Sequence, residues 1–251
     1  PLMVASMAAS TVNRYAGTPA IELPDCHVMG HEMLCAPILG LAAGIVSTLF
    51  IRANFLAADA FKKSRFPAWV RPALGGLCVG ILGLFTFRAM GEGYDAIREM
   101  VPESLSAPVL VWPLAGILLA RIAATACTLG SGGTGGAFAP SLVIGTTLGL
   151  SLVGGIRHVF PGVQLDPVAF ALAGIAGLLA GVFQAPLSGL VIAFNLSRWN
   201  AQLLVPLMCV SVISAWLSQH LARASIYELG LLRDGVDIAA SRNLQTILAG
   251  R

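Results

Sequence analysis

Residues 128–140 read TLGSGGTGGAFAP, with five glycines between Gly130 and Gly136. The segment interrupts an apolar stretch, Ile122–Ile156, that contains no Asp, Glu, Lys or Arg. Glycine lets a backbone come close to a ligand and leaves its amides available. A helix restarting at about Phe138 has first-turn N–H groups without partners in the helix. Those amides, together with the positive end of the helix dipole, attract an anion. A flexible loop or a tight helix-packing site explains the glycines equally well on spacing alone. In a membrane, such a break is tolerated where it lines a cavity or is buried in protein.

Two soluble-protein readings of the segment fail. Gly130, Gly132 and Gly135 match G-x-G-x-x-G. A dinucleotide site, however, needs a preceding strand and an acid about 20 residues on. The preceding apolar segment is helix-length, and the next acid is Asp166. A phosphate loop needs Lys and then Ser or Thr after its last glycine, where Gly136 and Ala137 stand.

The surroundings decide the class. Of 251 residues, 57% are hydrophobic and 11% charged, against about 25% charged in soluble domains. So few charges cannot coat a water-facing surface, which excludes an ordinary cytosolic enzyme, a disordered chain and a nucleic-acid module. The net charge of +3 is too small and too scattered for a polyanion binder. Charge-free runs cover Met33–Ile51, Pro72–Phe87, Ser104–Ala120, Ile122–Ile156, Pro167–Ser197 and Trp199–Ala222. A spanning helix needs about 20 apolar residues, so at least six segments span or partly span a bilayer. Their uneven lengths fit tilted and broken helices in an all-α integral membrane fold.

Along the chain, residues 1–17 read as the end of a helix, and the opening at Pro1 inside an apolar run predicts a piece of something longer. A polar loop with Glu22, Asp25, His27 and His31 follows, then a long helix from about Glu32 to Lys63. Lys62, Lys63, Arg65 and Arg71 form a basic loop, placed in the cytoplasm by the positive-inside rule, with Glu22 and Asp25 outside. Further helices are expected over 72–90, 107–129, 138–152, 167–183, 186–196 and 201–222, with a short one in the polar interlude 90–104 and a loop over 156–166. Ala173, Gly177 and Gly181 have small-xxx-small spacing. Pro186 suits a first helical position.

Other chemistry is weakly signalled. Cys26, His27, His31 and Cys35 supply metal-type ligands, but in no standard spacing, and no metal is assigned. Ser131 with His158 or His220 would be the parts of an intramembrane serine protease, but Leu129 stands where the Gly-x-Ser-Gly pattern needs glycine. Arg121 interrupts two apolar runs and is expected to snorkel to the interface. Arg198, just past a helix end, is expected at the interface too. No enzyme activity or cofactor is expected.

At Gly136-Ala137-Phe138-Ala139-Pro140 the chain resembles the chloride channel (CLC) family of channels and proton-coupled exchangers, whose motif is Gly-x-Phe-x-Pro. FALAGIAGLLAGVFQAPLSGLVIAFNLS, with its Ala185-Pro186-Leu187 signature, ASIYELGLLRDG with Tyr227, FPAWVRPALGGLCVG and GEGYDAI extend the resemblance over nearly the whole chain.

The resemblance implies the second of two inverted-topology halves plus the terminal helix. Residues 1–17 would end a dimer-interface helix, 31–222 form the second inverted repeat, and 223–251 form the terminal helix and the start of a cytoplasmic tail. It implies chloride as the transported ion, bound at Gly136, Ala137, Phe138 and Tyr227. It also implies a homodimer in a bacterial inner membrane, its interface partly on the helix ending near Gly17 and on 186–196 and 201–222. The family's Gly-Ser-Gly-Ile-Pro and Gly-Arg/Lys-Glu-Gly-Pro segments do not occur here, so channel and proton-coupled antiporter both stay open, as does nitrate against chloride. A fluoride exporter of the same fold is less favoured, because that branch usually lacks the tyrosine. Asn195 stands where many members have Glu.

Overall fold

A computed structural model describes residues 32–86, 94–106, 111–222 and 224–233, except positions 65, 68, 161 and 164. Its first element is the long helix α1 (Glu32–Lys63), followed by α2 (Arg71–Phe85) and α3 (Tyr94–Ser106). Then come α4 (Val111–Gly130), α5 (Phe138–Val159), α6 (Pro167–Phe183) and α7 (Pro186–Leu196). A 3-10 turn (Ala201–Leu203) leads into α8 (Leu204–Leu221), and α9 (Ile226–Arg233) ends the series. There is no strand among the described residues.

Spans over Cys35–Lys63, Val111–Gly130, Phe138–Val159 and Ala201–Glu228 are long and apolar enough to cross a membrane. Three shorter apolar helices, α2, α6 and α7, accompany them. The charge-free runs therefore divide into full spans and partial ones. Ile122–Ile156 breaks at the glycines, and Pro167–Ser197 breaks at Gln184-Ala185 before Pro186.

Helix α6 is the centre. Every residue from Pro167 to Val182 is buried, and α1, α5, α7 and α8 all pack on it. Asp166 caps its start, accepting a hydrogen bond from the Val168 amide at 2.8 Å, with Pro167 in the first turn. The small-residue stripe does what its spacing predicted. A Cβ on Gly177 would meet Ala43 of α1 and Val210 of α8, and one on Gly181 would meet Ser47 and Ser214. Hydroxyls fill the narrow gap: Ser214 donates to the Gly177 carbonyl and Ser218 to the Gly181 carbonyl, each at 2.7 Å. Without water to satisfy it, a buried hydroxyl must find such an acceptor.

Several boundaries and one burial differ from expectation. Helix α5 continues through Arg157 and His158, inside the expected loop, where basic residues suit the negative end of the dipole. Arg157 donates to the Leu165 carbonyl at 2.6 Å, closing that loop. Helix α2 stops at Phe85. Arg121 does not snorkel. Helix α4 runs nine residues beyond it, and the side chain is 4% exposed among α4's packed residues. The 1–31 readings, including Glu22, Asp25, Cys26, His27 and His31, lie outside the described residues, as does Arg65.

Candidate functional site

The end of α4 is shaped by its glycines. Gly132 has φ +86, a left-handed conformation that glycine adopts without strain. The amides of Gly132 and Gly133 turn back to the Leu129 and Thr128 carbonyls. Gly130 lies so close to α1 that a Cβ there would sit 2.8 Å from the Ala58 amide nitrogen. Ser131 is buried against Gly75 of α2 and donates to the Thr128 carbonyl at 3.0 Å. The loop is thus clamped at its start between α1 and α2 and opens toward its end. Gly135 and Gly136 are exposed, and an added Cβ on Gly136 would meet nothing within 4 Å.

Helix α5 starts at Phe138, where the sequence placed it. The residue before it, Ala137, supplies no side-chain cap, and Pro140 has no N–H. The first amide returned to the helix is that of Ser141, bonded to the Ala137 carbonyl at 3.2 Å. Among the described residues no backbone acceptor serves the Ala137, Phe138 or Ala139 amides. The start of α5 therefore presents uncapped donors at the positive end of a 22-residue helix dipole.

Tyr227 comes to this place from the far end of the chain. Ring stacking links Phe138 to Phe183 (centroids 6.5 Å apart, planes at 27°) and Phe183 to Tyr227 (5.4 Å, 18°). The start of α5, the end of α6 and the start of α9 therefore meet in one aromatic stack. Ala137 packs below it in an apolar cluster with Phe50, Ile51, Val182, Ala222 and Ile226. Tyr227 keeps 60% of its surface exposed and Phe138 37%, so the stack lies at the surface and is not sealed in the core.

The resemblance names Gly136, Ala137, Phe138 and Tyr227 as candidates; the structure adds what joins Phe138 to Tyr227. Phe183 is the middle ring. Ser225 and Glu228 form a capping box at the start of α9: the Glu228 amide donates to Ser225 Oγ at 3.3 Å, and the Ser225 amide donates to Glu228 Oε2 at 3.2 Å. This box sets Tyr227 in the first turn of α9. Its S-x-x-E signal was present in the sequence; the Phe183 contact, between residues 44 apart, had no local signal.

The remaining candidates stay apart. The Ser131 hydroxyl is committed to a backbone carbonyl, while His220 Nδ1 bonds the Trp216 carbonyl oxygen and His158 is exposed at the end of α5. Among the described residues no imidazole bonds Ser131, which removes the geometric basis of the protease reading. Cys35 stands on α1, and no group of three metal-type ligands forms among the described residues. Asn195 is half-buried on α7, its carbonyl accepting from the Arg198 amide. Arg198 is exposed.

A putative chloride channel protein, ClcB-like, of Ralstonia nicotianae is 34% identical over 242 residues, covering 94% of this chain and 55% of that protein. The H(+)/Cl(-) exchange transporter ClcA of Citrobacter koseri is 33% identical over 201 residues, covering 78% of this chain and 41% of that protein. The crystal structure of a slow cyanobacterial Cl-/H+ antiporter superposes with a TM-score of 0.76 at 25% identity, over 91% of this chain and 53% of that one. A CLC-type fluoride/proton antiporter shares the fold, with a TM-score of 0.67 at 21% identity, over 87% of this chain and 52% of that one. The chain spans about half the length of these relatives. They are named as channels and transporters, and its apolar helices make it a multi-pass membrane protein. With the family model for the voltage gated chloride channel matching residues 1–219, the chain belongs to that family.

Proposed function

We propose that this chain supplies the second half of an anion-transporting subunit and that chloride is the transported ion. The observation that supports it is the meeting of an uncapped helix start with a phenol through the Phe138–Phe183–Tyr227 stack. In this reading the amides of Ala137 and Phe138, beside the open Gly136, and the Tyr227 hydroxyl donate to one dehydrated chloride. All three donors are neutral. A full Lys or Arg charge at contact would hold chloride too tightly, and transport needs an ion that enters and leaves. Donors of this kind serve a passive channel and a proton-coupled antiporter alike, and the chemistry calls for no cofactor.

The surroundings of the site extend the proposal. Val205, Met208, Val212 and Trp216 form one exposed apolar face of α8, and Leu187 is exposed on α7. This face fits a homodimer contact within the bilayer. An inner-membrane location with Lys62, Lys63 and Arg71 on the cytoplasmic side follows the positive-inside rule.

The test uses the protein expressed from its complete reading frame, with chloride binding measured by titration calorimetry. Tyr227→Leu removes a hydrogen bond to a charged ligand and should weaken chloride about tenfold or more. Its elution as a folded, monodisperse species should not change. Unaltered chloride affinity would reduce Tyr227 to an interfacial anchor.

A further inference from the structure

We infer that Phe183 and Gln184, at the end of α6, are positioning residues that fix the Tyr227 phenol relative to the start of α5. The inference rests on the anion-site reading above and goes beyond the ion's own donors. Four observations converge on the corner between α8 and α9. Phe183 stacks with both Tyr227 and Phe138. Gln184 Nε2 donates to the Ala222 carbonyl at 3.1 Å. Arg52 of α1 donates to the neighbouring Leu221 carbonyl at 3.0 Å. Gln184 itself is left-handed, with φ 53 and ψ 33. A non-glycine residue there is strained by about 1 kcal/mol or more and persists when its surroundings over-determine it.

These contacts have a common geometry. Helix α6 is buried from Pro167 to Val182, with α1, α5, α7 and α8 packed on it. Helix α9 is short, at eight residues, and its Tyr227 is largely exposed. Left to itself, a phenol on so short a helix would sample several positions. The α6 terminus removes that freedom twice, once through the ring of Phe183 and once through the amide of Gln184. A hydroxyl held at one place gives a hydrogen bond whose ordering cost is met before the ion arrives.

The test reads the phenol directly. Fluorotyrosine is incorporated into the protein expressed from its complete reading frame, and the Tyr227 fluorine resonance is assigned by its loss in Tyr227→Phe. Sodium chloride is then titrated against sodium gluconate at constant ionic strength. In the native protein the Tyr227 resonance should shift saturably with chloride. Phe183→Leu keeps the apolar bulk but loses both ring contacts, and should weaken the apparent affinity about fivefold to tenfold. Phe183→Tyr keeps the stack and should stay within about twofold, since the aromatic contacts survive. Gln184→Ala should fall between them. A native response that Phe183→Leu leaves unchanged overturns the positioning role while leaving the anion site standing. A native resonance that ignores chloride overturns the anion-site reading, and the positioning role with it. Equal loss in Phe183→Leu and Phe183→Tyr would mark a general packing role and overturn the inference.

Discussion

Glycine serves two opposite ends in this molecule. Where α5 crosses α6, Gly145 faces Gly174 and Gly149 faces Phe170, and a Cβ at any of these three glycines would run into the opposing backbone. In the loop between α4 and α5, Gly132 and Gly136 have open space where a Cβ would stand. The first set is about volume, because backbones touch and nothing larger fits. The second is about conformation at Gly132 and about access at Gly136. A glycine count sees one residue type; the distances separate a packing seam from an open loop.

The strongest way to break the comparison is Gly174→Leu. Its side chain would have to enter the Gly145 backbone, and backbone cannot give way as a flexible side chain can. The expected loss is more than about 3 kcal/mol, beyond ordinary overpacking, read as loss of the monodisperse peak in fluorescence-detected size exclusion. A stable Gly174→Leu protein would mean that α5 and α6 are not in backbone contact. Gly132→Ala should have an intermediate effect: space is free but φ is +86, so destabilisation of about 1 kcal/mol is expected from the left-handed conformation alone. A thermal melt lowered by a few degrees would agree; an unchanged melt would say the loop relaxes without strain. Gly136→Ala sharpens the contrast most finely. Stability should move by less than about 0.5 kcal/mol, as for open surface positions, while chloride affinity measured by calorimetry falls. If both stay constant, Gly136 gives no approach to an ion.

What the sequence made legible follows the range of the physics. Starts of helices at Phe138 and Pro186 were visible because glycine runs and proline act locally. The stripe through Gly177 and Gly181 was visible because close packing has a fixed spacing. The capping box at Ser225 and Glu228 is equally local, an S-x-x-E signal at the start of α9. Arg121 misled because it stands at the end of one charge-free run and the start of another. Only the helix that continues to Gly130 carries it into the interior. The stack through Phe183 depends on three helix ends meeting, which no single segment encodes. The candidate anion donors come from resemblance; what the fold adds is that Phe138 and Tyr227, 89 residues apart, stack on the same ring, Phe183.

Helix α6 also has a thermodynamic consequence in its composition. Nine of its seventeen residues are Ala, Gly or Pro, side chains with no rotamers to freeze. Ordering a buried Leu or Ile forfeits about 0.5–1 kcal/mol of rotamer entropy, and ordering Ala, Gly or Pro forfeits none. The helix that its neighbours close around therefore gives up little side-chain rotamer freedom when they do. In a bilayer, where burying apolar surface against protein in place of lipid gains little, that saving falls where tight contact is most needed.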